Sequence, residues 1–515
     1  MANHAWVIDQ TSCIGCHACT TACKSENDVP LGVNRTWVKY VERGTFPATR
    51  RDIAVLRCNH CEEPPCVEIC PTTAMFKRPD GIVDFDTGRC IGCKACLQAC
   101  PYDAIYIDPQ EHVAEKCNFC SHRVDQGLLP ACVVVCPTES LLFGDLEDPR
   151  SRVAQVVASR PTTVRRPEQA TRPNAFYLGA SATALDPLAP VHADAYMWSE
   201  RRRGGAKDHS AAIAALEAEA PPVRGGARVA YDAFHPEPWG WKVALYLWTK
   251  NIGAGVWALA FLAPALGLVA LSRELRLAAA FASLAFIGLT TLLLVWDLKR
   301  PERFWTILIR PQRRSWLALG SFVLVGYSGL LGLWFLGTWF GADETLLLVL
   351  GAPTVVLAAL ASLYTAFLLA QCEARDLWQN PAVFFVLLAH MTVLGAAGLL
   401  VAAAATGGLD TIAGFARAAL VGGGVLGVAA LLSGEAGAGR TTANARAAGH
   451  LLVRGPFRTH FWLGGVLLAG LVPVAVAALA PAAPAALLAA GLLAAAGALW
   501  YEFGFVAAGQ AVPIS

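Results

Sequence analysis

Residues 90–101 read Cys90-Ile-Gly-Cys93-Lys-Ala-Cys96-Leu-Gln-Ala-Cys100-Pro101. The spacing is C-x2-C-x2-C-x3-C-P, and related runs of four cysteines lie before and after it. Together the four runs contain sixteen of the seventeen cysteines, all between residues 13 and 136. The runs are Cys13, Cys16, Cys19 and Cys23; Cys58, Cys61, Cys66 and Cys70; Cys90, Cys93, Cys96 and Cys100; and Cys117, Cys120, Cys132 and Cys136.

This spacing predicts iron–sulfur clusters. Three closely spaced thiolates hold three corners of a [4Fe–4S] cubane, and the fourth cysteine of the run ligates the other cluster of a pair. Sixteen ligands therefore give four [4Fe–4S] clusters. Zinc suits paired CxxC motifs, but it requires neither a third cysteine nor the proline that follows three of the runs. A disulfide framework would need export, and residues 1–6 lack the basic region and apolar core of a secretory signal.

Composition divides the chain of 515 residues into unlike parts. Residues 1–240 are charged and cysteine-rich, whereas residues 241–515 are long runs of Leu, Ala, Val and Gly. We expect an α+β tandem ferredoxin-like domain with four [4Fe–4S] clusters (1–160), a linker or docking region (161–240), and an all-α transmembrane bundle of about eight helices (241–515). The net charge of +2 gives no indication of nucleic-acid binding, and we expect none.

Short strands are predicted around the cysteine loops. Val7-Ile8 begins one, residues 31–57 alternate enough for two, and Asp80-Gly81 marks a hairpin turn. Four basic side chains adjoin predicted ligands and either raise cluster potentials or are solvated surface charges. They are Lys24, Lys94, Lys116 and Arg123. In the linker, the triplet at residues 201–203 is a solvated loop or a contact with anionic headgroups.

The length of about 20 apolar residues that crosses a bilayer predicts eight spans. They are residues 243–270, 277–297, 316–340, 345–371, 382–406, 411–433, 460–480 and 483–507. Eleven Lys and Arg lie in the loops on the ferredoxin side, against three on the opposite side. We therefore expect a multi-pass protein of the inner membrane with its ferredoxin domain facing the cytoplasm, although a partner's signal could carry that domain across.

The second run, C-x2-C-x4-C-x3-C-P, and the wide last run, C-x2-C-x11-C-x3-C-P, resemble the four-cluster electron-transfer subunits of complex iron–sulfur molybdoenzymes. Dimethyl sulfoxide, polysulfide and thiosulfate reductases have such subunits. The resemblance implies that the first run pairs with the fourth and the second with the third. The implied ligand sets are set 1 (Cys13, Cys16, Cys19, Cys136), set 2 (Cys23, Cys117, Cys120, Cys132), set 3 (Cys58, Cys61, Cys66, Cys100) and set 4 (Cys70, Cys90, Cys93, Cys96).

The membrane half resembles the eight-helix quinone-interacting anchors of polysulfide reductase and of nitrite-reductase electron-transfer complexes. The residues that carry this resemblance are Asp297-Leu-Lys-Arg-Pro301-Glu-Arg-Phe-Trp305, then Ser315-Trp316, and Tyr364-Thr365 before Ala374-Arg375. The resemblance implies a quinol site at the ferredoxin-side ends of the helices. It also implies that no haem is bound.

Polar side chains within apolar spans are costly and are functional candidates by default. A quinone needs donors to its carbonyls and a base for its protons. The residues that we expect to supply these are Lys250, Asn251, Asp297, Arg300 and Tyr364. For Asp297 and Arg300, an interfacial ion pair that anchors the helix end is an equal alternative. His390 and His460 suit haem ligation less well than hydrogen bonds between helices, and Glu502 belongs to a proton route or pairs with a neighbour.

These features predict an electron-transfer and membrane-anchor subunit of a respiratory oxidoreductase. Electrons pass between a pool of menaquinone or ubiquinone and a separate large subunit, expected to carry a molybdenum or tungsten bis-pterin cofactor. Lipids and quinone are the other partners, and two such complexes can pair as a dimer. Two alternatives remain: a quinone-reducing subunit of a formate dehydrogenase or hydrogenase, and a membrane tether without a quinone site.

Overall fold

A computed structural model describes residues 2–190, 226–434, 442–480 and 483–515. The basic triplet at residues 201–203 lies outside the described residues. All seventeen cysteines lie within them, and all are unpaired thiols. The predicted fold class, ferredoxin-type domains followed by a helical membrane region, is confirmed.

The cysteine-rich half consists of short strands joined by cysteine loops. The strands are β1 (His4–Asp9), β2 (Thr36–Arg43), β3 (Arg50–Arg57), β4 (Met75–Lys77), β5 (Val83–Phe85), β6 (Ile105–Ile107), β7 (Ala114–Lys116), β8 (Leu141–Asp145), β9 (Thr162–Thr163), β10 (Ala175–Leu178) and β11 (Arg228–Tyr231). They form a four-stranded sheet in the order β8-β1-β10-β9, a three-stranded sheet β11-β2-β3, and the hairpins β4-β5 and β6-β7. The helices of this half are α1 (Ala18–Glu26), α2 (Pro65–Glu68), α3 (Ala95–Ala99), α4 (Ser121–Val124), α5 (Ala131–Val134), α6 (Arg152–Ser159) and α7 (Ala182–Leu185).

The expected strands and hairpin are present. Val7 and Ile8 lie in the buried β1, and residues 31–57 contain β2 and β3, which pair over their whole length. Gly81 at φ 84° turns the chain between β4 and β5, a left-handed conformation that glycine adopts without steric cost.

The ferredoxin sheet continues beyond residue 160, where the sequence predicts a linker. β10 pairs in parallel with β1, so that Ala175 lies opposite Trp6, and β9 extends the same sheet. These strands of two and four residues are too short for a periodic signal, and their partner strand lies about 170 residues earlier.

The membrane half is a bundle of long helices. They are α8 (Trp241–Ala265), α9 (Arg273–Asp297), the short α10 (Thr306–Ile309), α11 (Trp316–Phe340), α12 (Glu344–Ala370), α13 (Ala382–Thr406), α14 (Leu409–Gly434), α15 (Ala443–Val453), α16 (His460–Leu479, π-helical over its first part) and α17 (Pro484–Ala511). Ser272, Ser315 and Asp343 cap α9, α11 and α12 by accepting bonds from backbone N–H groups of the first turn.

Among the described residues, seven helices are long and apolar enough to cross a membrane, one fewer than the eight spans expected. The missing one is α8, which has 25 residues but contains the polar pair Lys250 and Asn251. It nevertheless lies inside the bundle, because residues 249–258 are buried around the whole helix circumference. A Cβ at Gly255 would collide with the carbonyl of Met391, so glycine permits the close crossing of α8 and α13.

Candidate functional site

Four cavities lie along the cysteine-rich half, and each is lined by the four cysteines of one predicted set. Their volumes are about 340 Å³ for set 1, 260 Å³ for set 2, 310 Å³ for set 3 and 360 Å³ for set 4. The structure thus brings Cys136 to the first run and Cys100 to the second, as the resemblance implies.

The donors fit cubanes better than single ions. Across the described ranges, no three His, Cys, Asp or Glu side chains converge as ligands of one metal ion, and the thiols instead surround cavities. Backbone N–H groups point at sulfur, as they do around iron–sulfur clusters: Gly92 N and Ala114 N lie 3.4 and 3.3 Å from Cys90 Sγ. Burial raises the pKa of the Cys117 thiol to about 12, so a bound metal must displace its proton.

The loops that present the cysteines turn through left-handed backbone. His17, Lys94 and Cys120 have φ values of 61°, 64° and 52° immediately before α1, α3 and α4. Each turn reverses the chain, so that the cysteines on both sides of it face one cavity.

The sets are arranged in the order 1, 2, 3, 4. Cys19 of set 1 interacts electrostatically with Cys132 of set 2. Cys117 of set 2 interacts with Cys58 of set 3. Cys96 of set 4 interacts with Cys66 of set 3. The neighbouring cavities therefore form a continuous series.

Set 1 is the end of the series that solvent reaches. Cys16 is exposed, and Cys13 and Cys136 are half-buried, whereas all four cysteines of set 3 are buried. Large apolar side chains surround this end: Ile14, Val134 and Val135 are 61%, 60% and 41% exposed. An exposed apolar patch of this kind is typical of a protein interface.

Buried cations lie between the sets. Arg57 is fully buried, its Nη1 donates to Cys132 Sγ at 3.3 Å, and its guanidinium stacks 4.4 Å from the Trp6 ring. Burial alone would lower the pKa of Arg57, but the thiolates of Cys132 and Cys19 outweigh it and hold that pKa above its ordinary range. The sequence analysis missed Arg57, although an arginine directly before Cys58 at the end of an apolar strand was a usable signal.

Lys116 occupies the equivalent position between sets 2 and 3. It is fully buried, lines the set 3 cavity, and donates from Nζ to the Cys117 carbonyl at 3.0 Å. Of the two interpretations considered for this lysine and for Lys94, the solvated surface charge is wrong, because both side chains are buried.

Set 4 lies directly on the membrane half. Lys94 Nζ forms an ion pair with Asp297 Oδ2 at the end of α9, at 2.8 Å. Arg303 Nη1 donates to the Cys90 carbonyl at 3.1 Å, and Trp239 Nε1 donates to the Cys93 carbonyl at 3.2 Å. These bonds hold the set 4 loop against the helix ends.

A buried glutamine completes this junction. Gln98, between two ligands on α3, donates from Nε2 to Gln510 Oε1 of α17 at 2.5 Å. It accepts a bond of 2.8 Å from Nε of Arg375, which is itself buried. The set 4 loop is therefore joined to the helix end of α17 and to the α12–α13 loop.

The structure separates the five predicted quinone-site residues into two groups. Asp297 pairs with Lys94, and Arg300 donates to the Glu111 carbonyl at 2.8 Å and to its carboxylate at 3.1 Å. Both therefore have the geometry of the alternative considered for them, an ion pair that anchors a helix end. Neither contacts the remaining three residues in the bonds that the structure shows.

Lys250, Asn251 and Tyr364 form one buried polar group, which we call the α8–α12 group. Lys250 Nζ donates to the Ser362 carbonyl at 2.9 Å and to Thr365 Oγ1, and it lies 4.8 Å from the centre of the Tyr364 ring. Ser362 Oγ donates to Asn251 Oδ1 at 2.5 Å. A charged group held this deep in an apolar bundle is a functional candidate.

Two further polar groups adjoin the α8–α12 group. His390 Nδ1 lies 3.1 Å from Glu502 Oε1, and this buried pair joins α13 to α17. The sequence indicated both residues but could not pair them across 112 positions. Tyr246, one turn before Lys250, was missed; it is buried and interacts with Tyr364 and Asp297.

Comparisons with known proteins agree with this division of the chain. Two family models described as "4Fe-4S dicluster domain" match residues 12–75 and 50–146, and the model "Polysulphide reductase, NrfD" matches residues 231–514. The contacts between set 4 and the helix ends therefore lie between two segments of one polypeptide that match different family models.

Curated relatives match the cysteine-rich half. The B subunit of tetrathionate reductase from Salmonella typhimurium is 42% identical over 201 residues, which cover 38% of this chain and 80% of that protein. The corresponding polypeptide of polysulfide reductase from Wolinella succinogenes is 42% identical over 176 residues, covering 34% and 92%. The equivalent subunit of sulfite dehydrogenase from Allochromatium vinosum is 41% identical over 207 residues, covering 36% and 86%.

Proposed function

The chain belongs to the polysulphide reductase NrfD family, and from that premise we propose that it passes electrons between a membrane quinone pool and a separate catalytic subunit. It is an electron-transfer subunit with [4Fe–4S] clusters and a multi-pass membrane anchor. The quinone reaction, the assignment of sets 1–4 to four clusters and the nature of the catalytic subunit are the proposed steps.

One observation carries the proposal: the series of cavities ends on the membrane half. Set 4 is bound to the ends of α9 and α17 through Lys94 and Gln98. Four clusters in this order give a path from set 1 at the surface to the helix ends. A membrane half that served only as a tether would need neither an ordered series of cysteine sets nor buried contacts between set 4 and the helix ends.

The quinone end of the path is the α8–α12 group. A bound quinol supplies two electrons and two protons when it is oxidised. Lys250 and Asn251 can donate hydrogen bonds to its ring oxygens, and the Tyr364 hydroxyl offers a further polar contact. The surrounding apolar helices exclude water and strengthen these interactions.

The other end of the path is set 1, where we place the catalytic subunit. The exposed side chains Ile14, Val134 and Val135 provide an apolar surface around the most exposed ligands. The relatives are named for tetrathionate, polysulfide and sulfite, so we infer a partner that acts on a sulfur compound. The bis-pterin cofactor of that partner follows from the sequence resemblance.

The orientation follows from the positive charges of the loops. Several of the basic residues counted on the ferredoxin side are bound to that domain, as Arg300 and Arg303 are. Others, such as Arg313 and Arg314, are exposed. We propose that the ferredoxin half faces the cytoplasm, because the positive-inside rule associates an excess of Lys and Arg in short loops with the cytoplasmic side.

The test uses the full chain in lipid nanodiscs, reduced anaerobically with dithionite and freed of excess reductant. Addition of a short-tailed quinone should reoxidise the clusters, with about two quinones consumed for four one-electron clusters. Lys250→Met and Tyr364→Phe should slow this reaction. Tyr327→Phe, which removes a hydroxyl bonded to Ser283 elsewhere in the bundle, is the matched control. Absence of reoxidation in the wild-type protein would favour a tether.

A further inference from the structure

A cavity of about 280 Å³ lies inside the membrane half, where α8, α12, α13 and α17 meet. Its polar lining is His390, Tyr501 and Glu502, and the remaining lining is apolar. None of the five residues predicted for the quinone site lines it.

The His390–Glu502 pair forms part of the wall of this cavity. Glu502 and His390 are 2% and 4% exposed, and 3.1 Å separates Oε1 from Nδ1. Within the described part of the chain, Glu502 Oε2 has no hydrogen-bond partner. A buried carboxylate oxygen without a partner is costly, which makes it a candidate for proton binding.

The pair adjoins the α8–α12 group. Asn251 and Lys250 both interact with the Glu502 carboxylate, although Asn251 Nδ2 and Glu502 Oε2 do not reach hydrogen-bond geometry within the described residues. The titratable groups around Glu502 are thus His390 from α13, Lys250 and Tyr246 from α8, and Tyr501 on its own helix. Glu502 is therefore a carboxyl group beside the α8–α12 group.

The pair is also close to the electron path. Phe505 lines the cavity, and Gln510, five residues later on α17, is bonded to Gln98 of the set 4 loop. At a rise of 1.5 Å per residue, the cavity and the junction lie roughly 8 Å apart along α17. Electrons that leave toward set 4 and protons that leave toward the His390–Glu502 pair would therefore travel to places only a short distance apart.

We propose that the His390–Glu502 pair accepts the protons of quinol oxidation and returns them in quinone reduction, an inference that rests on the proposed function. In oxidation the O–H bonds of the quinol break. The cysteines of set 4 and of the neighbouring sets would hold the clusters that accept its two electrons, one electron for each cluster. One proton binds Glu502 Oε2 to give the carboxylic acid, and the other binds the His390 ring to give the imidazolium. Reduction of a quinone reverses each step.

The experiment compares Glu502→Gln and His390→Gln with the wild-type full chain in nanodiscs, with Tyr327→Phe as control. Both variants should slow cluster reoxidation by a short-tailed quinone by about 100-fold or more, the usual size of a lost acid–base step. Thermal stabilisation by a non-reducible quinone analogue should be unchanged. An infrared difference spectrum should show a protonated-carboxyl band that is absent in Glu502→Gln. Glu502→Asp, which keeps the acid, should partly restore the rate.

Each outcome separates this inference from the proposed function. Wild-type rates in both variants, or a carboxyl band that persists in Glu502→Gln, would overturn the inference alone. Loss of analogue binding in both variants at normal thermal stability would also overturn it, because the pair would then be a headgroup ligand. Failure of the wild-type protein to react with quinone would overturn the proposed function and this inference with it. If Glu502→Gln does not assemble, the reoxidation rate and analogue binding of His390→Gln test the same inference, and wild-type rates in that variant would overturn it.

Discussion

The two halves of this molecule differ in how their chemistry appears in the sequence. In the cysteine-rich half, ligands recur at short intervals because one loop must reach three corners of the same cluster. In the membrane half, the polar groups are single residues on separate helices, such as Lys250 on α8 and Glu502 on α17. Metal ligation is therefore visible in the sequence as a regular spacing of cysteines. Proton and quinone chemistry is visible only as single polar residues that are energetically costly to bury in an apolar span.

The halves also use charge differently. Around the cysteine sets, buried cations such as Arg57 and Lys116 lie beside thiolates, where they favour the more reduced clusters. In the bundle, an acid faces a histidine, and both can change protonation state. We infer that the first arrangement tunes the reduction potentials of the clusters and propose that the second exchanges protons.

The largest effect is expected where the two halves meet. Cys70→Ser removes a ligand of set 4, which should remove that cluster and abolish reoxidation by quinone. Sets 1–3 should remain reducible, because their cysteines line separate cavities. Electron paramagnetic resonance of the reduced variant, together with quinone kinetics, checks this. Normal quinone kinetics without the set 4 cluster would contradict the order of the series.

A smaller effect is expected from the cation between sets 1 and 2. Arg57→Gln should lower the reduction potentials of these clusters, because reduction adds negative charge beside it. At about 6 Å and an effective dielectric of about 20, the lost interaction is roughly 2–3 kcal/mol, which is on the order of 100 mV for one electron. Redox titration measures this.

Two variants provide controls for Arg57. Arg57→Lys keeps the charge and should keep most of the potential. Arg123→Gln removes a more exposed charge, paired with Glu26, and should change the potentials much less. Equal reduction potentials of the clusters in Arg57→Gln and in the wild type would show that Arg57 only packs against Trp6.

A pH effect is expected at the α12–α13 loop. Burial, with the carboxylates of Glu68 and Glu63, raises the pKa of Glu373 from 4.5 to about 7. The folded state therefore keeps a proton that the unfolded state releases, so stability falls as pH rises from about 4.5 to 7. Glu373→Gln should remove this fall and stabilise the protein above pH 7 by about 1–2 kcal/mol, after allowance for solvent screening.

Thermal unfolding of Glu373→Gln and wild type between about pH 5 and 8 measures this difference. Glu147→Gln, at an exposed position far along the chain, is the control and should leave the pH profile as it is in the wild type. A difference between Glu373→Gln and wild type that did not grow with pH would contradict a raised pKa at Glu373.

The smallest effect is expected at Arg300. Its partner Glu111 is largely exposed, so Arg300→Gln should cost less than about 1 kcal/mol. Because Arg300 binds the ferredoxin half, quinone kinetics should remain normal. A strong loss of quinone reactivity with normal stability would return Arg300 to the quinone site.

The cysteine-rich half was largely predictable, because each run fixes its own loop and the expected short strands follow. What the sequence could not give was contact between distant residues. β10 joins β1 across about 170 residues, Arg57 reaches Cys132, and Asp297 reaches Lys94. In the membrane half, hydropathy indicated the helices, but the pairing of His390 with Glu502 depends on the packing of α17 against α13, which approach each other closely at Gly491 and Ala397.

The most direct test of the four-cluster assignment is to measure the iron and sulfide content of the purified full chain together with the number of electrons that it accepts. We expect about sixteen iron and sixteen sulfide per chain and about four electrons on full reduction, one for each [4Fe–4S] cluster. Zinc in place of iron, or far fewer electrons at full iron loading, would contradict it.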